Sequence, residues 1–146
     1  MKMFNHISVV SGLIFGTIIN LLGGWDIMLK CLLIAVILDY ITGLIKAIYN
    51  KTLSSEIGYK GILKKVVVFI VVALSVLVDR VLTEYLLNSV GIDFDTPFRT
   101  IVCVFFLCNE GISILENASL MGIRIPKKLK QALLQLRDKE GGEDNE

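Results

Sequence analysis

A chain of 146 residues could bury one soluble core, but with 54% of it hydrophobic, 20% charged and a mean hydropathy of +0.70, its long apolar runs point to lipid as the solvent. The net charge of +1, with no basic run interleaved with aromatics, argues against nucleic acid as a partner. One histidine, His6, and three cysteines set inside apolar runs, Cys31, Cys103 and Cys108, leave little for a catalytic triad or a zinc site, so neither enzyme chemistry nor a metal or cofactor is expected.

The first apolar run, Ile7 to Trp25, follows Lys2 but lacks a small-x-small cleavage site before polar sequence, so it reads as part of the mature chain. Met1-Lys2-Met3 offers two starts, which chance explains well enough. Span 1 is near the lower length limit for crossing. Ser8, Gly12, Gly16, Asn20 and Gly24 recur every fourth residue, a groove of small side chains that lets helix backbones approach closely in lipid. The simpler filler is span 2 of the same chain; the alternative is a second copy.

Gly23 to Asp26 allow only a tight helical hairpin, with Trp25 at headgroup level. Span 2, Ile27 to Ile48, carries Lys30 near its start and one acid, Asp39. The segment from Tyr49 to Gly61, with Ser54, Ser55 and Gly58, reads as a polar loop. Span 3 is predicted from about Ile62 to Leu82, and residues 85 to 98 form an exposed connector. Span 4, from about Phe98 to Leu120, contains Asn109, Glu110, Ser113, Glu116 and Asn117. Pro126 then starts a short amphipathic helix with Leu129, Ala132, Leu133 and Leu136 on one face, and residues 140 to 146 form a flexible acidic tail.

Of the 15 Lys and Arg residues, all but Lys30, Arg80 and Arg99 fall on one side of a four-span layout. The positive-inside rule puts that side, and both termini, in the cytoplasm. The fold expected is all-α and multi-pass, with four transmembrane helices, or three if span 1 lies at the interface, and a short amphipathic C-terminal cytoplasmic helix. Residues 1–122 form the transmembrane domain and 123–146 the basic helix and acidic tail.

Asp39 and Glu110 each lie about a dozen residues into spans that run the same way, so they are expected at similar depth in the inner half of the bilayer. An acid facing lipid costs about 2.5 to 3.5 kcal/mol on insertion scales, so both must face helices or water. In the plainest reading they bond to a neighbour such as Asn20, Asn109 or a backbone carbonyl. In the sharper one they line a polar pathway or a self-association surface, Asp39 with Gly43 on span 2 and Glu110 with Asn109, Ser113 and Asn117 on span 4. Lys60, Lys64, Lys65, Arg124, Lys127, Lys128 and Lys130 form the basic set expected to meet the cytoplasm and anionic lipid.

Four segments together resemble the toxin-secretion/phage-lysis holins of Gram-positive bacteria and their phages. They are Leu38-Asp39-Tyr40-Ile41-Thr42-Gly43; Ser54-Ser55 followed by Lys60-Gly61-Ile62-Leu63-Lys64-Lys65; the run from Asn109 to Asn117; and Gly122-Ile123-Arg124-Ile125-Pro126-Lys127-Lys128-Leu129. The resemblance covers roughly residues 36 to 136 and leaves span 1 unmatched. It implies a homo-oligomer in the bacterial cytoplasmic membrane that opens non-specific lesions, with an antiholin as regulator and an endolysin or large toxin as cargo that need not bind. It implies no catalytic residue. The rival from the residues alone is a small ion-coupled transporter using the intramembrane acids.

Overall fold

The computed structural model describes residues 2–87 and 98–141, which form helices and turns only. The helices are α1 (Lys2–Leu21), α2 (Ile27–Tyr49), α3 (Ser55–Val81) running on into a π-helical turn (Leu82–Leu87), α4 (Phe98–Leu120) and α5 (Lys127–Gly141). Most of the predicted connector and residues 142–146 of the predicted tail lie outside the described residues. The stretches Ile27–Tyr49, Gly58–Tyr85 and Phe98–Leu120 are long and apolar enough to cross a membrane; the apolar part of α1, Ser8–Leu21, is shorter. The protein is therefore an all-helical, multi-pass membrane protein.

Three helices end in the same way. Gly24 N–H donates to Ile19 O and Gly23 N–H to Asn20 O; the pattern repeats at Thr52 to Ala47 with Lys51 to Ile48, and at Ile123 to Ala118 with Gly122 to Ser119. Each is a Schellman closure, which needs a left-handed residue just past the helix. Gly23 (φ 86°), Gly122 (φ 86°) and Lys51 (φ 55°) supply it.

The loop predicted over residues 49 to 61 is much shorter than expected, because α3 begins at Ser55. Gly58 and Gly61 do not break this helix. A Cβ at Gly61 would stand 3.3 Å from the Tyr40 ring, so this glycine makes room for the tyrosine of α2, while one at Gly58 would make an ordinary contact with its hydroxyl at 3.6 Å. Glu56 and Lys60, one turn apart at 2.6 Å, support the exposed side of the same turns. With 27 residues, α3 is about 40 Å long and exceeds the hydrocarbon thickness.

The core lies between α2, α3 and α4, where Leu32, Val36, Val68, Val72 and Cys103 are buried together. Cys31 is half-buried, Cys108 is buried, and no disulfide forms among the described cysteines. By contrast α1 is exposed from Ser8 to Ile18, including Val9, Leu13, Ile14 and Phe15. A Cβ at Gly12 or Gly16 would meet nothing within 4 Å, so span 2 does not fill the small-residue groove as expected. Among the described side chains of α1, those of its last turns meet the bundle, and the helix–helix contact is with α3 rather than α2. There Arg80 of α3 donates to the Asn20 carbonyl and side-chain oxygens at 2.9 and 3.1 Å.

Helix α5 folds back along α4. Lys130 pairs with Glu116 at 3.0 Å, and Leu133 packs where a side chain at Gly111 would be, 3.3 Å from its Cβ position. Leu129 and Leu136 of the predicted apolar face are instead 48% and 50% exposed, because the glycine notch in α4 selects Leu133 as the inserted residue.

Candidate functional site

Charged side chains form two layers, one at each end of the bundle. At one end Asp26 caps α2, accepting from Leu29 N–H at 2.8 Å. The same carboxylate receives both terminal nitrogens of Arg99 at 2.6 and 3.1 Å, while Arg99 Nε donates to Leu22 O at 2.8 Å. Asp79 of α3 accepts from the first two backbone N–H groups of α4, Phe98 at 3.1 Å and Arg99 at 2.7 Å. A carboxylate at a helix start also meets the positive end of the helix dipole. This end is called the arginine end. The sequence pattern by itself gave Asp26, Asp79 and Arg99 no partners. The signal that could have found their contacts was their position, each within one turn of a predicted span end.

The second layer lies inside. Lys65 of α3 donates to Asp39 Oδ2 of α2 at 2.5 Å and to Glu110 Oε2 of α4. Asp39 and Glu110 are 8% and 5% exposed, and the Lys65 side chain 17%. Asn117 donates to Asp39 Oδ1 at 3.1 Å and to the Thr42 hydroxyl at 3.2 Å, and Thr42 donates in turn to its own helix at Asp39 O. Gly43 lies beside this amide, and a Cβ there would make an ordinary contact with Asn117 Nδ2 at 3.7 Å.

Lys65 does not belong with the cytoplasmic basic set in which the sequence placed it. It projects into the bundle from the face that carries Val68 and Val72, one to two turns on, and its lysine stem crosses apolar surface to reach both acids. The signal was present in the sequence as a cation three to four residues before a buried stripe. Two carboxylates share one ammonium, so the set carries one excess negative charge when all three groups are ionised.

These residues line a cleft of about 550 Å³ toward the far, lysine end of the bundle, in which charged side chains stand among apolar walls. Gly43 and Ser113 line its walls, and Lys46, Lys60 and Lys64 line it with them. Asn109 is half-buried and does not line it. Of the remaining predicted residues, Arg124, Lys127 and Lys128 are exposed, Lys130 holds Glu116, Asn20 holds Arg80, and Gly24 sits in the α1–α2 turn with a φ of 103°. Among the described residues no group of three or more His, Cys, Asp or Glu side chains is placed to hold a metal ion.

Three apolar helices are thus joined by a buried carboxylate–lysine cluster. Residues 16–138 match the bacteriophage holin family. The chain belongs to that family. Holins are membrane pore-forming proteins, not enzymes. A 14.9 kDa protein of Clostridium perfringens is 46% identical over 117 residues, covering 80% of this chain and 82% of its own. A probable holin of Bacillus phage phi105 is 34% identical over 105 residues, covering 72% of this chain and 70% of its own. No solved structure matches the chain. The family match begins at Gly16, so most of α1 lies outside it.

Proposed function

We propose that this holin accumulates in the cytoplasmic membrane of a bacterial host with its lysine end and C-terminus in the cytoplasm, self-associates, and opens lesions wide enough for an endolysin or a large toxin to pass. The observation that carries the reading is the Asp39–Lys65–Glu110 cluster lining the cleft. Polar groups at membrane depth are tolerated where they are buried in protein or line water, and an internal ion pair can exchange one arrangement for the other. In the closed state each chain satisfies its own acids through Lys65. In the open state α3 moves relative to α2 and α4, and the same groups, with Ser113 and Asn117, face water shared between copies. An antiholin would act by holding the closed arrangement.

The test is inducible expression in bacteria together with a wall hydrolase that lacks its own export signal. Wild type is expected to release the hydrolase and lyse the culture at a reproducible time. Asp39→Asn and Glu110→Gln, which weaken the tie to Lys65, are expected to advance that time, and lysis on the wild-type schedule by both variants would separate the cluster from the trigger. Release of the hydrolase also distinguishes a lesion from an ion-coupled transporter, which passes small solutes without leaking macromolecules.

A further inference from the structure

The cleft above Asp39 is not closed on its lipid side. It shares Tyr40 and Lys65 with a groove of about 240 Å³ on the α2–α3 seam, whose other walls are Val36, Ile37, Ile62, Val66 and Phe69. Val66 and Phe69 in turn belong to a larger apolar groove, about 570 Å³, that runs on between Leu29, Leu33 and the last turns of α1. Polar and apolar compartments therefore follow one another along a single seam. From Asp39 to Leu29 the helix rises about 15 Å, much of the length of one leaflet's hydrocarbon.

Charge in the polar compartment is not balanced. Lys65 is engaged by the two buried acids and Lys60 by Glu56. Among the described residues Lys46 and Lys64 make no ion pair, yet both line the cleft, Lys46 from α2 and Lys64 from α3. Thr52 and the Tyr40 ring stand beside them, the tyrosine seated at the boundary between the two compartments against Gly58 and Gly61. Lys46 and Lys64 outweigh the one excess negative charge of the Asp39–Lys65–Glu110 set, so a chamber of net positive charge, continuing past a tyrosine into a groove for a hydrocarbon chain, has the chemistry of an anionic phospholipid site.

We propose that the α2–α3 seam binds one anionic phospholipid, its phosphodiester held between Lys46 and Lys64 and an acyl chain laid along Ile37, Ile62 and Val66. Two charges from different helices meet one phosphate, so the lipid bridges α2 and α3 near the short link that joins them. A free phosphate would use the same cations but not the groove; a zwitterionic lipid would use the groove but gain less from the cations. The site depends on the fold alone and not on lesion formation, so its failure would leave the proposed function standing.

The full chain in detergent would be titrated, with native mass spectrometry as readout, against phosphatidylglycerol, phosphatidylcholine of the same chains, and glycerol phosphate. One phosphatidylglycerol per chain is expected to bind in preference to phosphatidylcholine. Lys46→Gln with Lys64→Gln should weaken it roughly thirtyfold, two cations' worth, and bring it level with phosphatidylcholine. Lys30→Gln with Lys51→Gln, which removes the same charge outside the cleft, should leave the preference intact. Ile37→Trp, which fills the groove, should weaken both lipids. Helicity by circular dichroism checks each variant, and the single substitutions Lys46→Gln and Lys64→Gln replace the double one if it misfolds. Equal binding of the two lipids by wild type, a preference that survives loss of both lysines, or glycerol phosphate competing as well as the intact lipid would each overturn the proposal. So would Ile37→Trp changing the oligomeric state and leaving lipid binding untouched, since the groove would then belong to a second copy.

Discussion

At the scale of single residues, the sharpest consequence of the inner cluster is an asymmetry among its members. Removing the lysine leaves two buried carboxyl groups facing each other, whereas neutralising one acid leaves a matched pair. Lys65→Met is therefore expected to destabilise the bundle by about 3 to 5 kcal/mol, the range for breaking a buried pair, and Glu110→Gln by clearly less. Changing all three together, Lys65→Met with Asp39→Asn and Glu110→Gln, should recover most of the loss, because no charge is then left unpaired. Denaturant unfolding in mixed micelles would order the variants, and a triple variant less stable than Lys65→Met would show that the cluster's worth is not electrostatic. At the arginine end, the hydrogen-bonded guanidinium of Arg99 holds the Asp26 carboxyl below its ordinary value of 3.8, and the Leu29 N–H adds to this against the opposing effect of burial. A lowered folded-state value contributes stability above the ordinary one, and that contribution is lost as pH falls below 3.8 through the folded value. Melting temperature is expected to drop over that acidic window in wild type, and the Asp26 share of the drop to vanish in Asp26→Asn, which keeps the α2 cap but no titrating group.

At the scale of elements, the helix ends and the glycines divide into those the sequence makes readable and those it does not. The turn at Gly23–Gly24 and the stop at Gly122 were legible, because a glycine just past an apolar run is the ordinary partner of a left-handed closure, but among the described residues the close α1–α2 hairpin expected at that turn does not form. The start of α3 was not, because Gly58 and Gly61 look like loop residues until the ring of Tyr40, from another helix, is placed against them. Contacts between elements decide such cases, and local composition is blind to them. Three substitutions test the closures. Gly122→Ala is expected to cost about 1 kcal/mol, for the left-handed backbone alone. Gly23→Ala should cost more, since its methyl would fall 2.4 Å from Arg99 Nε and displace the side chain that ties α2 to α4. Lys51→Gly should gain about as much as Gly122→Ala loses, because the φ of 55° already strains a residue with a Cβ. Thermal unfolding of the three in one detergent would reveal whether the order, Lys51→Gly above wild type and Gly23→Ala lowest, is right.

At the scale of the whole molecule, the two charge layers set where the bundle can sit in a bilayer. Asp26 to Asp39, Asp79 to Lys65 and Arg99 to Glu110 are each separated by about 16 to 21 Å of helix rise, less than the 30 Å of hydrocarbon. The arginine layer, rich in backbone contacts and exposed groups, belongs at one headgroup region, and the Lys65 cluster then lies in the opposite half of the hydrocarbon, reached by the cleft. That both acids share a depth was legible from their equal distance into their spans; that a single lysine answers both was not, since the register between three helices is absent from any one of them. In the proposed orientation, which rests on the positive-inside rule, the open end of the cleft faces the cytoplasm. Helix α1 is the remaining freedom. It is anchored at Asn20 and turned at Gly23, and its 20 residues would reach about 30 Å if it ran alongside the bundle, which puts Lys2 level with the lysine end. A chain with its three native cysteines replaced by alanine, carrying one new cysteine at position 2, 60 or 84, would be labelled in intact cells with a maleimide that does not cross membranes. Label is expected at position 84 only, with positions 2 and 60 reacting after permeabilisation. Label at 60 in intact cells would invert the orientation, and label at 2 with 60 protected would leave α1 on the outer surface and reduce the crossings to three.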